Sequence, residues 1–250
     1  MRAIAFYCLH YGKEYLAWSI RSIQDAVDEV HVVYSPRPSF GHETGASCPD
    51  TEEDLKREAI RYADCPVHWH SGAFSSEGEH RNAIYPIARE AKADRILVVD
   101  EDEVWAPGAA KAALLATAGR PERDVLVRFV HFWRSFAWVC RDPSMPVRIV
   151  NPDGQGTWYL DPQAAPVLHF GYAQSERLTA YKQVIHGHKG EWRRDWYERK
   201  FLPWAPDCGM RDVHPTCVDF WNPEKADASL QAAVRSTLSD HPYAGAPLIR

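Results

Sequence analysis

A chain of 250 residues, 45% hydrophobic and 25% charged with a formal net charge of −5, is long enough for a large α/β domain and too ordinary in composition for a disordered or fibrous protein. The charge balance gives no global basic field, which excludes an extended nucleic-acid-coating role and leaves room only for a local basic groove. No apolar run reaches the roughly eighteen residues of a membrane span. MRAIAFYCLHYGKE lacks the basic start, long apolar centre and small-residue cleavage site of a secretory signal, so a cytoplasmic protein without a transmembrane segment is expected. Cys8, Cys48, Cys65, Cys140, Cys208 and Cys217 contain no CxxC pair and read as free thiols rather than a zinc ribbon or a disulfide framework.

AIAFYCL, residues 3–9, predicts a strand, and Leu16, Ile20, Ile23 and Val27 recur behind it at helical spacing. VHVVY (30–34) predicts a second strand that stops at Ser35-Pro36, where proline cannot continue the ladder. After a Gly/Ser/Pro-rich loop, Thr51 and Asp54 form a capping-box-like start, with Glu52 and Glu53 near the positive end of the helix dipole, for a helix to about Ala63. PVHWH (66–70) predicts a third strand. Ile84, Ile87, Ala88 and Ala91 mark one face of a helix over 81–93, and ILVV (96–99) predicts a fourth strand. Strand and helix alternate throughout, which predicts a parallel sheet covered on both faces.

Pro107 suits the first turn of an alanine-rich helix that ends before Gly119. Beyond it DVLVRFVHFW, FAWVC and PVRIV read as antiparallel strands, followed by a VLHFGY strand and helices near 175–186, 191–201 and 223–238. Ten tryptophans and eleven tyrosines, many after residue 130, suit either a sugar-binding or base-stacking surface or ordinary core packing.

The most informative stretch is RILVVDEDEVW, 95–105, where a strand that reads as buried runs into Asp100, Glu101, Asp102 and Glu103. Ligands of open parallel sheets bind outside the carboxyl ends of the strands. In extended backbone, residues i and i+2 point the same way, so Asp100 and Asp102 converge on one ligand while Glu101 points elsewhere. Two such charges resist ionisation without a compensating cation, and Mg²⁺ or Mn²⁺ supplies one. A solvated acidic loop is the competing structural reading. The same residues match the DxDx(T/V) motif of haloacid-dehalogenase-type phosphatases, with Asp100 as nucleophile and Asp102 as acid/base. That motif normally sits on the first strand, and no GDxxxD-like segment follows here.

Across residues 3 to about 220 the order of features resembles the GT-A fold glycosyltransferases, in particular those similar to family 2. KEYLAWSIRSI is similar to the family's NE…L…SI helix, EGEHRNAIYPIARE to the arginine-asparagine helix start before the metal-binding strand, VVDEDEVW to the DxD motif, and VLHFGY to the later histidine-bearing strand. The resemblance implies a Rossmann-like mixed sheet with helices on both faces in a single domain, 1–250. Residues 1–105 would form the nucleotide-sugar-binding half, and 106–250 an antiparallel and helical acceptor-side half.

It further implies a metal-dependent transfer of a sugar from a nucleotide-diphosphate donor, such as a UDP-sugar, to a hydroxyl acceptor. Asp102 would hold the Mn²⁺ or Mg²⁺, and Asp100 would contact the ribose or share the ion. His169 would be the third ligand, with His188 and its neighbour His186 competing for that place. Cys8, Glu14, Ser35, Arg81, Asp100 and Lys182 are the donor-side positions, and Lys189 is a further phosphate-side lysine. Asp161 and Glu176 are the candidate catalytic bases.

A saccharide or lipid-linked acceptor is the default expectation. The mixture of Lys189, Arg193, Arg194, Arg199 and Lys200 with Trp192, Trp196 and Tyr197 raises a hydroxymethylated base in DNA as a minority one. The i, i+4 spacing of Trp192 and Trp196 reads equally as a packed helix face. A non-catalytic sugar-binding relative would share the aromatics and the fold. Nucleotidyl transfer is disfavoured by the lack of a GxGxR-like loop after the first strand.

Overall fold

The computed structural model describes residues 1–38, 44–153, 156–160, 166–185 and 191–250. The first half follows the predicted alternation: β1 (Ala3–Leu9), α1 (Lys13–Ile23), β2 (Glu29–Tyr34), α2 (Glu52–Tyr62), β3 (Val67–Ser71), α3 (Glu77–Asn82), α4 (Ile84–Glu90) and β4 (Arg95–Val99). α2 starts where predicted, because the Thr51 hydroxyl accepts the Asp54 N–H at 3.2 Å. The helix expected over 81–93 starts earlier, at a Ser76 cap that accepts the Glu79 N–H at 3.1 Å. It is broken at Ala83 into α3 and α4. Pro86 accounts for the break, since it has no N–H to offer the carbonyl four residues back.

The four strands pair in parallel in the order β3-β2-β1-β4, the buried arrangement that their continuous apolar runs predict. The sheet is extended by β9 (Val147–Val150) antiparallel to β4, by β6 (Asp124–Leu126) antiparallel to β9, and by β10 (Thr157–Tyr159) parallel to β6. Alternation separates its two faces. Ala3, Ala5, Tyr7, Leu9, Val30, Val32, Leu97 and Val99 pack with α1, α2 and α5 (Ala109–Ala116). Ile4, Phe6, Val33 and Ile96 pack with Ile84 and Ala88 of α4. Pro107 precedes the α5 cap, Gly108, rather than occupying the first turn.

A second sheet runs in the order β12-β8-β7-β11-β5, from β5 (Glu103–Trp105), β7 (Phe129–Trp133), β8 (Trp138–Cys140), β11 (Val167–Tyr172) and β12 (Glu224–Lys225). DVLVRFVHFW is therefore not one strand. Its first part joins the first sheet as β6 and its second part the other sheet as β7, and β7 and β11 pair in parallel rather than antiparallel. α6 (Glu176–Ile185) and α7 (Ala228–Leu238) follow. Within 191–201 the expected helix is replaced by a short π-helical turn, Tyr197–Phe201, entered through Asp195 at φ 55°. Trp196 is nonetheless buried, in a cluster with Trp133, Phe201, Trp204 and Trp221, so the core-packing reading of this stretch holds.

The chain crosses from one sheet to the other between β4 and β5. Asp100 to Asp102 form a turn, not extended backbone: the Glu103 N–H donates to the Asp100 carbonyl at 3.1 Å, and the Phe170 N–H from β11 to the Asp102 carbonyl at 2.8 Å. The four carboxylates thus stand on the seam between the sheets.

α7 leads into a buried histidine, His241, whose ring lies against Tyr15 and Trp18 of α1. Its Nδ1 accepts the Tyr243 N–H at 3.1 Å, so its Nε2 donates to the Glu14 carbonyl at 3.0 Å. Protonation would place a hydrogen on the accepting Nδ1, and burial already pushes the ring down to about 4. A histidine lowered on folding contributes stability that is complete above its unfolded pKa of about 6.5 and lost as pH falls toward about 4. Urea unfolding at pH 4.5 should therefore show about 2–3 kcal/mol less stability from this residue than at pH 7. His241→Gln should flatten that part of the slope, and an unchanged slope would show that His241 does not carry it.

A candidate active site at the carboxyl edge of the parallel strands

A cleft of about 400 Å³ opens where the parallel strands end. Its first wall is made of Cys8, His10 and Tyr11 at the end of β1, Glu77 and Arg81 of α3, and the Asp100–Asp102 turn. The second wall is made of His131 on β7, Asp142 after β8, His169 and Tyr172 on β11, Lys182 and Ile185 of α6, and the later His214 and Trp221.

Each carboxylate on the turn has its own compensation. Asp100 accepts from Arg148 at 2.8 Å through one oxygen and from Arg81 at 3.4 Å through the other. Burial pushes Asp100 up, but the two guanidinium groups outweigh it and hold the carboxyl well below its ordinary range. Arg148 also forks onto both oxygens of fully buried Glu103, Nε lying 3.0 and 2.9 Å from them. Asp102 accepts from Gln174 at 3.0 Å and from Lys182 at 3.4 Å. Burial lowers Lys182, and the charge of Asp102 overrides it and keeps the ammonium protonated. Glu101 lines the cleft as well, contrary to the expectation from strand alternation. Burial, then the charges of Asp102 and Asp100, push it well above its ordinary value, so it keeps its proton.

Beside Asp102 lies a pair of imidazoles. His169 Nε2 is 3.5 Å from Asp102 Oδ1, His169 Nδ1 is 2.8 Å from His131 Nδ1, and His131 Nε2 is 3.8 Å from Asp142 Oδ2. Burial, with Lys182 adding to it, pushes His169 down to about 3; burial and His169 push His131 down as well. Both rings are therefore neutral, and one must donate to the other. If His169 donates, its Nε2 lone pair faces the Asp102 carboxylate. If His131 donates, its Nε2 lone pair faces Asp142, and that nitrogen has no hydrogen-bond partner among the described residues. Either way an imidazole lone pair confronts a carboxylate, and a divalent cation satisfies both. Asp102 and His169 make a mixed oxygen and nitrogen donor pair that suits Mn²⁺ better than Mg²⁺. Gly171 makes the approach feasible: a Cβ there would lie 2.5 Å from His169 Cε1 and 3.0 Å from Lys182 Nζ.

Of the residues singled out in the sequence, Cys8, Arg81, Asp100, Asp102, His169 and Lys182 come together in this cleft. Asp100 is engaged by arginines through both oxygens, which leaves Asp102 as the carboxylate beside the imidazoles. Glu14 does not reach the cleft, because its carboxylate accepts the Ser175 N–H at 2.9 Å and the Ser175 hydroxyl at the start of α6. Ser35 is buried with its hydroxyl on the Arg37 carbonyl at 2.7 Å. Glu176 is ion-paired with Arg134 at 2.8 Å and does not line the cleft, so it is not placed to act as base. Asp161, His186, His188 and Lys189 lie outside the described residues.

Sequence reasoning missed Arg148, Gln174, His131 and Asp142. Only His131 left a trace, as a polar residue inside the apolar run FVHFW.

No protein-family model matches the chain, and no curated protein matches it. Solved structures are similar at low identity. S. aureus TarS residues 1–349 gives a TM-score of 0.44 at 11% identity, covering 74% of this chain and 64% of that one. A 4-diphosphocytidyl-2C-methyl-D-erythritol synthase gives 0.36 at 18% identity, with 74% and 79% covered. Glucosyl-3-phosphoglycerate synthase from Mycobacterium tuberculosis, in complex with Mg²⁺ and UDP, gives 0.35 at 15% identity, with 52% and 43% covered. The chain thus spans under two thirds of TarS 1–349 and under half of the last. The fold, an α/β mixed sheet with helices on both faces, is of the expected class. Among the described residues no helix is long and apolar enough to cross a membrane.

Removing the shared guanidinium should be costly, because it strands a buried carboxylate. Arg148→Met is expected to lose about 3–5 kcal/mol in urea unfolding, and adding Glu103→Leu should recover part of that loss. If Arg148→Met alone is neutral, the guanidinium does not hold the turn.

Proposed function

We propose that this chain transfers a sugar from a nucleotide-diphosphate donor to a hydroxyl acceptor, using a divalent ion held by Asp102 and His169. The observation that carries this reading is the convergence on Asp102, at the carboxyl edge of β4, of His169 Nε2 at 3.5 Å and the Lys182 ammonium at 3.4 Å. When bound, the ion would neutralise charge on the departing nucleoside diphosphate.

The chain's own groups do the rest. Arg81 and Lys182 flank the carboxylate turn as fixed cations that suit a diphosphate. His131 orients His169 through the 2.8 Å contact between their Nδ1 atoms. Tyr172 and Trp221 add aromatic surface to the second wall. Asp142 is the acceptor-side base in this reading. Burial raises it, but the Ser144 donors and the Trp221 indole, at 3.0 Å, keep it ionised and facing the cleft. The acceptor we propose is a saccharide or lipid-linked hydroxyl. The Trp192–Trp196 stretch gives no support to a DNA acceptor, since Trp196 is buried and Arg193 is tied to Asp212 at 2.7 and 2.8 Å. The phosphatase alternative fares worse, because its nucleophile would be Asp100, already engaged by two arginines.

A panel of nucleotide sugars should show binding that rises with Mn²⁺ and falls about tenfold or more in Asp102→Ala. Metal-independent binding that Asp102→Ala leaves unchanged would remove this function. Asp142→Asn should lower turnover about 10²–10⁴-fold with donor affinity nearly intact. A matching loss of donor affinity would instead make Asp142 a positioning residue acting through His131.

A further inference from the structure

The pleat gathers a second set of metal-binding side chains on the face that carries α3 and α4. Glu29 and His31 are two apart on β2, His68 and His70 two apart on β3, and the parallel register sets His31 opposite His68. His31 Nε2 lies 3.1 Å from Glu29 Oε1, and His68 Nε2 lies 3.3 Å from Glu29 Oε2. The His31 and His68 rings stack at 4.7 Å. One ligand atom from each of Glu29, His31 and His68 lies within 4.8 Å of the other two. Ligand atoms that share a zinc ion at its usual bond lengths are roughly 3–3.5 Å apart.

None of these residues lines the cleft. Glu29 opens β2 at the amino edge of the parallel strands, paired with Ile4 of β1, whereas the cleft lies at the carboxyl edge.

We propose that Glu29, His31 and His68 form a second metal site, for Zn²⁺, that ties the edge strand β3 to β2. Two imidazoles and one carboxylate favour a borderline transition ion over Mg²⁺ or Ca²⁺, which prefer all-oxygen sets. His70 completes the site from outside the ligand set. Its Nε2 is 3.2 Å from His31 Nδ1, so with His31 Nε2 on the ion, the Nδ1–H donates to His70 and fixes the ring. The competing cation is Arg2, whose guanidinium reaches Glu29 at 3.0 Å from a half-exposed side chain. A surface pair of this kind is weak enough to be displaced. The other charge facing the cluster is Glu90 at the end of α4, which favours a cation beside His70. His68 is 46% exposed, which leaves the ion's remaining position open to water.

The site is tested by equilibrium dialysis of the full chain against Zn²⁺, with the metal counted per chain and Co²⁺ absorption as a second readout. His68→Ala suits the test because its half-exposed ring can be removed without opening the core, and His31→Gln provides a second variant. The expected result is one equivalent of Zn²⁺ lost in each variant, together with the loss of a zinc-dependent rise in melting temperature, while Asp102→Asn retains that equivalent. Zinc binding lost in Asp102→Asn and unchanged in both histidine variants would overturn the proposal, as would the absence of binding to the parent chain. The donor-binding outcome in the cleft is read separately and does not depend on this one.

Discussion

Four consecutive carboxylates at the end of a buried strand are tolerable only if each finds a counter-charge or keeps a proton, and the structure around β4 is arranged to meet that demand. Arg148 reaches in from β9 to hold Asp100 and Glu103 together. Lys182 and Gln174 approach Asp102 from α6 and the segment before it, and Glu101, without an ion pair among the described residues, stays protonated. These partners come from elements far apart in the chain. The same pairings that neutralise the turn therefore clamp the second sheet onto the first. A cleft formed this way inherits fixed cations in its walls and a carboxylate, Asp102, turned to the neutral imidazole of His169.

The front half of the fold was legible because its determinants are local. Apolar runs, helical periodicity and the Thr51 cap each act within a few residues, and they give the β3-β2-β1-β4 parallel core. The carboxylate motif was legible too, but its geometry was not. Alternation assumes extended backbone, and the chain instead turns at Asp100–Asp102 to change sheets, which brings Glu101 into the cleft. The back half resisted reading for a different reason. Its strands are two to six residues long and pair non-locally, so nothing nearby in sequence announces that Arg148 reaches the turn or that His131 and Asp142 line the cleft. Trp192 and Trp196 have helical spacing without the helix, because Asp195 takes a left-handed conformation between them and burial in the aromatic cluster supplies the stability instead.

The two histidine groupings lie on different sheets and have different chemistry. In the cleft, His169 and His131 are neutral, relay a single hydrogen bond and stand beside fixed cations, which suits an ion that arrives with a diphosphate. At the amino edge, His31 and His68 share one glutamate with only a displaceable arginine nearby, which suits an ion held by protein ligands alone. Strand pairing creates both, since the register sets His131 opposite His169 and His31 opposite His68, and partners across adjacent strands share one face.

The most direct measurement is a crystal structure of the chain with Mn²⁺ and UDP, with the metal located by its anomalous scattering. A manganese peak between Asp102 and His169, bridged to the diphosphate with Lys182 and Arg81 alongside, is the predicted result. A diphosphate bound elsewhere, or bound in the cleft with no metal beside Asp102, would contradict the metal-dependent donor site proposed for this cleft.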